Sequence, residues 1–317
     1  MKRLGFFFAS VTLSVTLVTP LHAQCSGSPT VIAICNRAID ALKTFHPAAG
    51  LLISGGNPVL GGARAMNGFG HFFVSARINA VKVVAPTPDT ASGPTSIKGF
   101  VPAPVIEGGL GLYPGLSSGL LAVDALFSAT LVPTHAVDKL GVDSGATKFG
   151  SFALGLGYGA RIGIVRGIFP IPSISMSVMR RSLPRVTYGQ LAASSLSSGD
   201  AFEFDTDVQA TTWRFVAGYH LIAFDVAAGI GFDRYTSHGR LRYYDNPPLN
   251  TIATVPFDPV NERQVVFADA AFHLTVLTFG VELGYQTGQD QKLSTNYTDF
   301  DPSSGHVFGG IGLRFGF

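Results

Sequence analysis

Four side chains in the second half of the chain are of types that activate water: Asp205 and Asp207, two residues apart, and Asp233 and His238, five apart. A carboxylate beside an imidazole can take a proton from water and return it, so a convergent set of this kind would serve hydrolysis by general acid–base catalysis. Gly115-Leu116-Ser117-Ser118-Gly119 matches the G-x-S-x-G nucleophile pattern. That pattern needs a strand-to-helix elbow, and here it falls where the sequence predicts a tight hairpin turn. Gly155-Leu156-Gly157-Tyr158-Gly159 lacks the spacing and the βαβ context of a dinucleotide loop. No Cys or His spacing of a zinc site is present, and the sequence leads us to expect neither metal nor cofactor.

A second set is defined by register rather than by motif. Arg77, Glu107, Asp124, Arg161, Arg214, Asp269, His273, Glu282 and Arg314 fall on the polar phase of a period-two alternation, where their neighbours are Gly and Ser. Charges of mixed sign gathered on one inner surface persist only when paired. They are expected either to interlock and fill a narrow lumen or to line a pathway through it. Cys25 and Cys35 are the only cysteines, and in an oxidising compartment they are expected to form a local disulfide.

The elements that must hold these residues follow from composition and periodicity. The chain has 317 residues, only 13% of them charged, with a formal net charge of +2 and scattered basic residues; its mean hydropathy is positive. Nucleic-acid binding is not expected from such a distribution. Residues 1–23 read as a secretory leader, with Lys2 and Arg3, an apolar run from Leu4 to Val18, and Leu21-His22-Ala23 as the cleavage site. Gln24 where a lipidation signal carries a small residue argues against a lipid anchor at Cys25.

After the leader no apolar stretch reaches the length of a spanning helix; the longest candidate, 152–171, is broken by Arg161, Arg166 and Pro170. In lipid every backbone polar group must be paired internally, which leaves a closed β-barrel. Alternation recurs in ten segments. Val123, Ala125, Phe127 and Ala129 oppose Asp124, Ser128 and Thr130, and Val226, Ala228, Ile230 and Phe232 oppose Asp225 and Asp233. The fold class is an all-β, antiparallel transmembrane barrel of about ten strands, with twelve an alternative count, preceded by an N-terminal helical segment. Short links near 113–119, 165–172, 220–224 and 275–278 alternate with long polar ones near 86–98, 133–148, 181–201, 244–263 and 287–305. A soluble sandwich would also alternate, but its polar face would be rich in Lys, Glu and Thr.

Three regions follow: the leader 1–23, an N-terminal segment 24–68, and the barrel 69–317. Within the second, Val31, Ile34, Ala38, Ile39, Leu42 and Phe45 recur at helical spacing, and Gly-rich residues 50–70 have turn composition. The segment is expected to plug the lumen, to form a periplasmic lid, or to pack across the lower rim.

The last strand, 305–317, with Leu313, Phe315 and Phe317, resembles the C-terminal assembly signal of Gram-negative outer-membrane barrels. The resemblance assigns no subfamily. It implies insertion by the barrel-assembly machinery, residence in the cell outer membrane, and contact with its lipid and lipopolysaccharide. Asp205, Asp207, Asp233 and His238 at the outer rim resemble the omptin proteases, which implies an outer-membrane hydrolase as the alternative reading. The Asn57-Pro58 pair resembles part of the Asn-Pro-Ala turn of fatty-acid transporter barrels, a match too short to imply a substrate. Ten strands leave little free lumen. The expected function is therefore a narrow or plugged barrel that passes or binds a small solute of unknown identity, or that serves a surface structural role.

Overall fold

A chain that alternates apolar and polar residues closes into a barrel only if every strand finds two partners. In the computed structural model, residues 25–86, 96–116, 120–133, 140–142, 148–149, 152–168, 170–189, 191, 202–246, 251–298 and 300–316 are described. Among the described residues a single helix, α1 (Pro29–Ser54), precedes the strands β1 (Phe72–Pro86), β2 (Ser96–Tyr113), β3 (Ala122–Pro133), β4 (Leu140–Val142), β5 (Lys148–Phe149), β6 (Phe152–Val165) and β7 (Ser173–Tyr188). Then come β8 (Phe202–Leu221), β9 (Phe224–Thr236), β10 (Gly239–Asn246), β11 (Thr251–Phe257), β12 (Val260–Leu274), β13 (Leu277–Gln286) and β14 (His306–Gly316).

The wall runs β8-β9-β12-β13-β14-β1-β2-β3-β6-β7, and pairing of β7 with β8 closes it. Among the described residues this is an antiparallel barrel of ten strands, the number expected from the alternation. One long link differs from expectation. The connection between β9 and β12 is not an irregular loop but carries the β10–β11 hairpin, and β10 pairs with the long-link end of β8 from Gly239↔Thr206 to Tyr243↔Phe202. The physical reason is legible: Leu241 and Tyr243 alternate with Arg240 and Arg242, and both apolar members are buried. Strand β7 likewise reaches Tyr188, beyond the point where residues from 181 on are expected to loop.

The two faces divide as the alternation requires, with Val74, Ile78, Phe127, Ile230 and Val281 exposed on the outside while Ser75, Arg77, Asn79, Asp124 and Asp233 are buried inside. An apolar exterior of this extent far exceeds the patches tolerated in water and is the lipid-facing band of a transmembrane barrel. Tyr219, Phe224 and Phe279 are exposed near the short-link end, where aromatic girdles of such barrels meet the membrane interface. Among the described residues no helix is long and apolar enough to cross a membrane.

The interior is less uniformly polar than its sequence phase implies. Phe73, Val81, Leu126, Val216, Phe267 and Phe308 also point inward and are buried, and they are dry because α1 and the chain after it run through the barrel. The helix touches β1, β2 and β14 on one wall and β7, β8 and β9 on the other. Ser28 caps it by accepting the Val31 N–H at 3.4 Å, with Pro29 in the first turn. At 1.5 Å per residue its 26 residues span about 39 Å, longer than a hydrocarbon core is thick.

Its first half therefore sits at the long-link end. There Val31, Ile39 and Leu42 pack on Phe202, Leu241, Tyr243, Val255 and Phe257, so the hairpin is a cover for the helix. Cys25 and Cys35 are disulfide-bonded in this region. The second half enters the lumen, where Leu51 meets Val81, Val216, Val265, Phe267 and Phe308. Residues 1–24, and with them the expected leader, lie outside the described residues, as do Phe317 and Ser117 to Gly119 of the G-x-S-x-G pattern.

Ile230 stands mid-strand on the outside, 52% exposed. Ile230→Arg is expected to destabilise the folded barrel in lipid by about 2–4 kcal/mol, measured by reversible urea unfolding in vesicles. A change under about 0.5 kcal/mol, the range of ordinary surface substitutions, would mean that this face does not meet hydrocarbon.

Candidate functional site in the lumen

The site is built where α1 ends. Gly55 takes φ +57°, a left-handed conformation suited to glycine, and turns the chain so that its carbonyl and the next two face the wall. Arg214 on β8 donates to the Gly55 carbonyl through Nη2 at 2.7 Å and to the Gly56 carbonyl through Nε at 2.8 Å. Arg77 on β1 donates to the Asn57 carbonyl at 2.8 Å. From β13, Glu282 accepts the Gly56 N–H at 3.0 Å and the Asn57 N–H at 2.6 Å. The Asn57 side chain donates to Asp269 at 2.8 Å and to the Gly62 carbonyl at 3.1 Å, and accepts the Val59 N–H at 3.1 Å. A backbone segment without secondary-structure partners is thus satisfied by ionised groups on opposite walls, and hydrogen bonds to charged groups are among the strong ones.

The clamp continues along the segment. Arg314 donates to the Leu60 carbonyl at 3.0 Å, and the Met66 N–H reaches both Asp124 oxygens at 3.2 Å. The wall charges also pair with one another. Arg77 meets Glu282 at 2.8 Å and Glu107 at 3.4 Å, Glu107 meets Arg181 at 3.4 Å, Arg161 meets Asp124 at 2.8 Å, and Arg214 pairs with Asp233. Asp233 in turn accepts the Tyr235 hydroxyl at 2.6 Å, and Tyr235 accepts from Gln286 at 2.7 Å. The Tyr235 ring lies against Gly50, where any Cβ would stand 2.4 Å from the ring.

The structure therefore brings together eight of the nine residues expected to line the lumen: Arg77, Glu107, Asp124, Arg161, Arg214, Asp269, Glu282 and Arg314 all surround the inserted chain. His273 stands apart, at the short-link mouth beside Asp225, 2.8 Å away. The set expected at the rim does not converge. Asp207 accepts the His238 backbone N–H at 2.7 Å, and the His238 ring lies 3.8 Å from the same carboxylate. Asp205 instead pairs with Arg185 at 3.2 Å and Arg240 at 3.1 Å. Asp233 is buried in the lumen with Arg214; it pairs across the strands with Thr212, five residues from Asp207, about 16 Å along a strand.

Sequence reading missed Arg181 and the luminal seat of Asn57. Arg181 continues the inward phase of Ser175, Ser177 and Met179, so extending the alternation four residues would have found it. Asn57 carried no periodic signal. At the long-link end, Asp40 of α1 accepts the Ser294 and Thr295 N–H groups at 2.9 Å, tying the helix to the β13–β14 connection. Burial pushes the Asp40 carboxyl above the usual carboxylate range, and burial beside Asp40 pushes Tyr297 up to about 12.

No protein-family model matches the chain, and no curated protein matches it. Among solved structures it is similar to the outer membrane protease OmpT from Escherichia coli, at 10% identity and TM-score 0.41, over 78% of this chain and 97% of that one. It is similar also to the translocator domain of the autotransporter NalP from Neisseria meningitidis, at 10% identity and TM-score 0.39, over 92% of this chain and 100% of that one. A third, the toluene transporter TodX from Pseudomonas putida, matches at 9% identity and TM-score 0.29, over 82% and 96% of the two chains. At these values the likeness carries no statement about function.

Removing one member of a buried charge network strands its partners. Glu282→Ala, which deprives Arg77, Gly56 and Asn57 at once, is expected to cost about 3–5 kcal/mol. Glu262→Ala, which breaks an exposed 4.0 Å contact with Arg234, is expected to cost at most about 1 kcal/mol. Paired urea titrations in vesicles check both, and equal costs would mean that the clamp contributes no more than a surface pair.

Proposed function

We propose that the chain resides in the cell outer membrane as a barrel whose lumen is closed by its own N-terminal segment, and that it passes a small solute when that segment shifts. The observation that supports this reading is the mode of attachment. Residues 55–66 are held mainly by hydrogen bonds between wall charges and backbone atoms, and water entering the lumen can replace such bonds one by one. A core sealed by side-chain packing alone offers no such route. The long apolar outer band, the short links at one end and the leader-like residues 1–23 support export and insertion with the short links facing the periplasm, Phe315 and Phe317 serving the assembly machinery, and lipopolysaccharide bordering the long-link end. The rim hydrolase gains no support from the geometry, because its four residues are not gathered in one place.

Planar-bilayer recording tests the gate. The mature chain is expected to be closed most of the time, and a variant lacking 24–56 is expected to conduct steadily. Silence from both, with heat-modifiable mobility showing each to be folded, would overturn the transport reading and leave a surface structural role.

A further inference from the structure

The short link between β8 and β9 puts His220 and Asp225 in register. On the other side of β9, Asp225 pairs with Ala271 of β12, and His273 follows two residues on. The three side chains meet at the short-link mouth. Asp225 presents Oδ1 2.6 Å from His220 Nδ1 and Oδ2 2.8 Å from His273 Nε2, with the imidazole centroids 5.4 Å apart. One ligand atom from each lies within 4.8 Å of the others.

We propose that His220, Asp225 and His273 form a binding site for a borderline divalent cation such as Zn²⁺, Cu²⁺ or Ni²⁺, completed by water. Two imidazoles and a carboxylate are the donor set such ions take, and three protein ligands leave a position open. Two observations favour an ion over a plain histidine–aspartate pair. First, His273 Nε2 lies 2.8 Å from Asp225 Oδ2 without making a hydrogen bond to it, and it has no hydrogen-bond partner among the described residues, so this ring nitrogen is left for a ligand. Second, His273 Nδ1 contacts Thr278 Oγ1 at 3.0 Å, across the His273↔Thr278 pair of β12 and β13. Such a contact on the second nitrogen orients a ligating imidazole and sets its tautomer.

The site is also reachable. His220 is 53% exposed in its side chain, and Asp225 and His273 line a cavity of about 300 Å³ that also holds Arg64, His71, Thr278 and Arg314. The two arginines put positive charge beside Asp225 and weaken its hold on a cation, so binding is expected to be exchangeable rather than permanent. No short motif signals the site, because its residues come from two sequence neighbourhoods on three strands. The proposal departs from the expectation of no metal, and it does not depend on the luminal gate.

The test uses the full mature chain without an affinity tag, folded in detergent. Zn²⁺ and Ni²⁺ are titrated by calorimetry, and Cu²⁺ is followed by paramagnetic resonance, which counts coordinated nitrogens. One ion per chain is expected, with two nitrogens on Cu²⁺. His273→Ala and His220→Ala should each weaken binding at least tenfold, Thr278→Val by about tenfold, and His238→Ala not at all. Arg64→Ala should tighten it several-fold. Because His220 is largely exposed, its variant keeps the test open if His273→Ala does not fold. Binding that is absent at millimolar metal, or that survives both histidine variants, would overturn the site.

Discussion

A buried guanidinium whose donors are unmet is among the costliest groups a fold can hold, and Arg77 and Arg214 are both inside this barrel. Their partners come from two sources. Part of the demand is met by wall carboxylates, Glu282 and Glu107 for Arg77 and Asp233 for Arg214. The rest is met by the carbonyls of Gly55, Gly56 and Asn57, whose own amides need acceptors and find Glu282. Wall and inserted segment are mutually dependent: neither is electrostatically complete without the other, and this dependence explains why an irregular stretch can lie in the middle of a membrane-spanning fold.

The same constraint organises what surrounds it. Outside the barrel the hydrophobic effect does little once the chain is in lipid, so closure rests on the antiparallel ladder in which every strand has two neighbours. Inside, an aqueous lumen is replaced by apolar seats for Leu51, Val59 and Ile53 interleaved with ionised ones. The apolar contacts exclude water and so strengthen the charge-assisted hydrogen bonds beside them. At the long-link end, where the helix outruns the wall, strand β8 is lengthened and the β10–β11 hairpin is added to bury its projecting turns.

Gradation along the axis separates a tight centre from looser ends. The central clamp is buried and held by ion pairs such as Arg77 with Glu282, whereas the short-link mouth has an open cavity with partly exposed histidines and the long-link end carries solvated ion pairs such as Arg242 with Glu203. Binding and exchange chemistry belongs at such ends, where a side chain can change partners without exposing a buried charge.

A barrel of about ten strands, the direction each face points and the polar phase that carries Arg77, Glu107, Asp124, Arg161, Arg214, Asp269, Glu282 and Arg314 can be read from the sequence alone, because period two is a local property that a single strand displays. Helical spacing in α1 was equally local. Which charge pairs with which, the seat of Asn57 and the separation of Asp233 from Asp207 were decided only by tertiary structure. These depend on the stagger between strands and on where a glycine-rich segment without periodicity comes to rest. Asp233 illustrates the limit: its phase says that it points inward, but only the register opposite Thr212 says at what depth. His220, Asp225 and His273 show it again, since three strands had to be brought side by side before one nitrogen or oxygen from each could lie within 4.8 Å of the others.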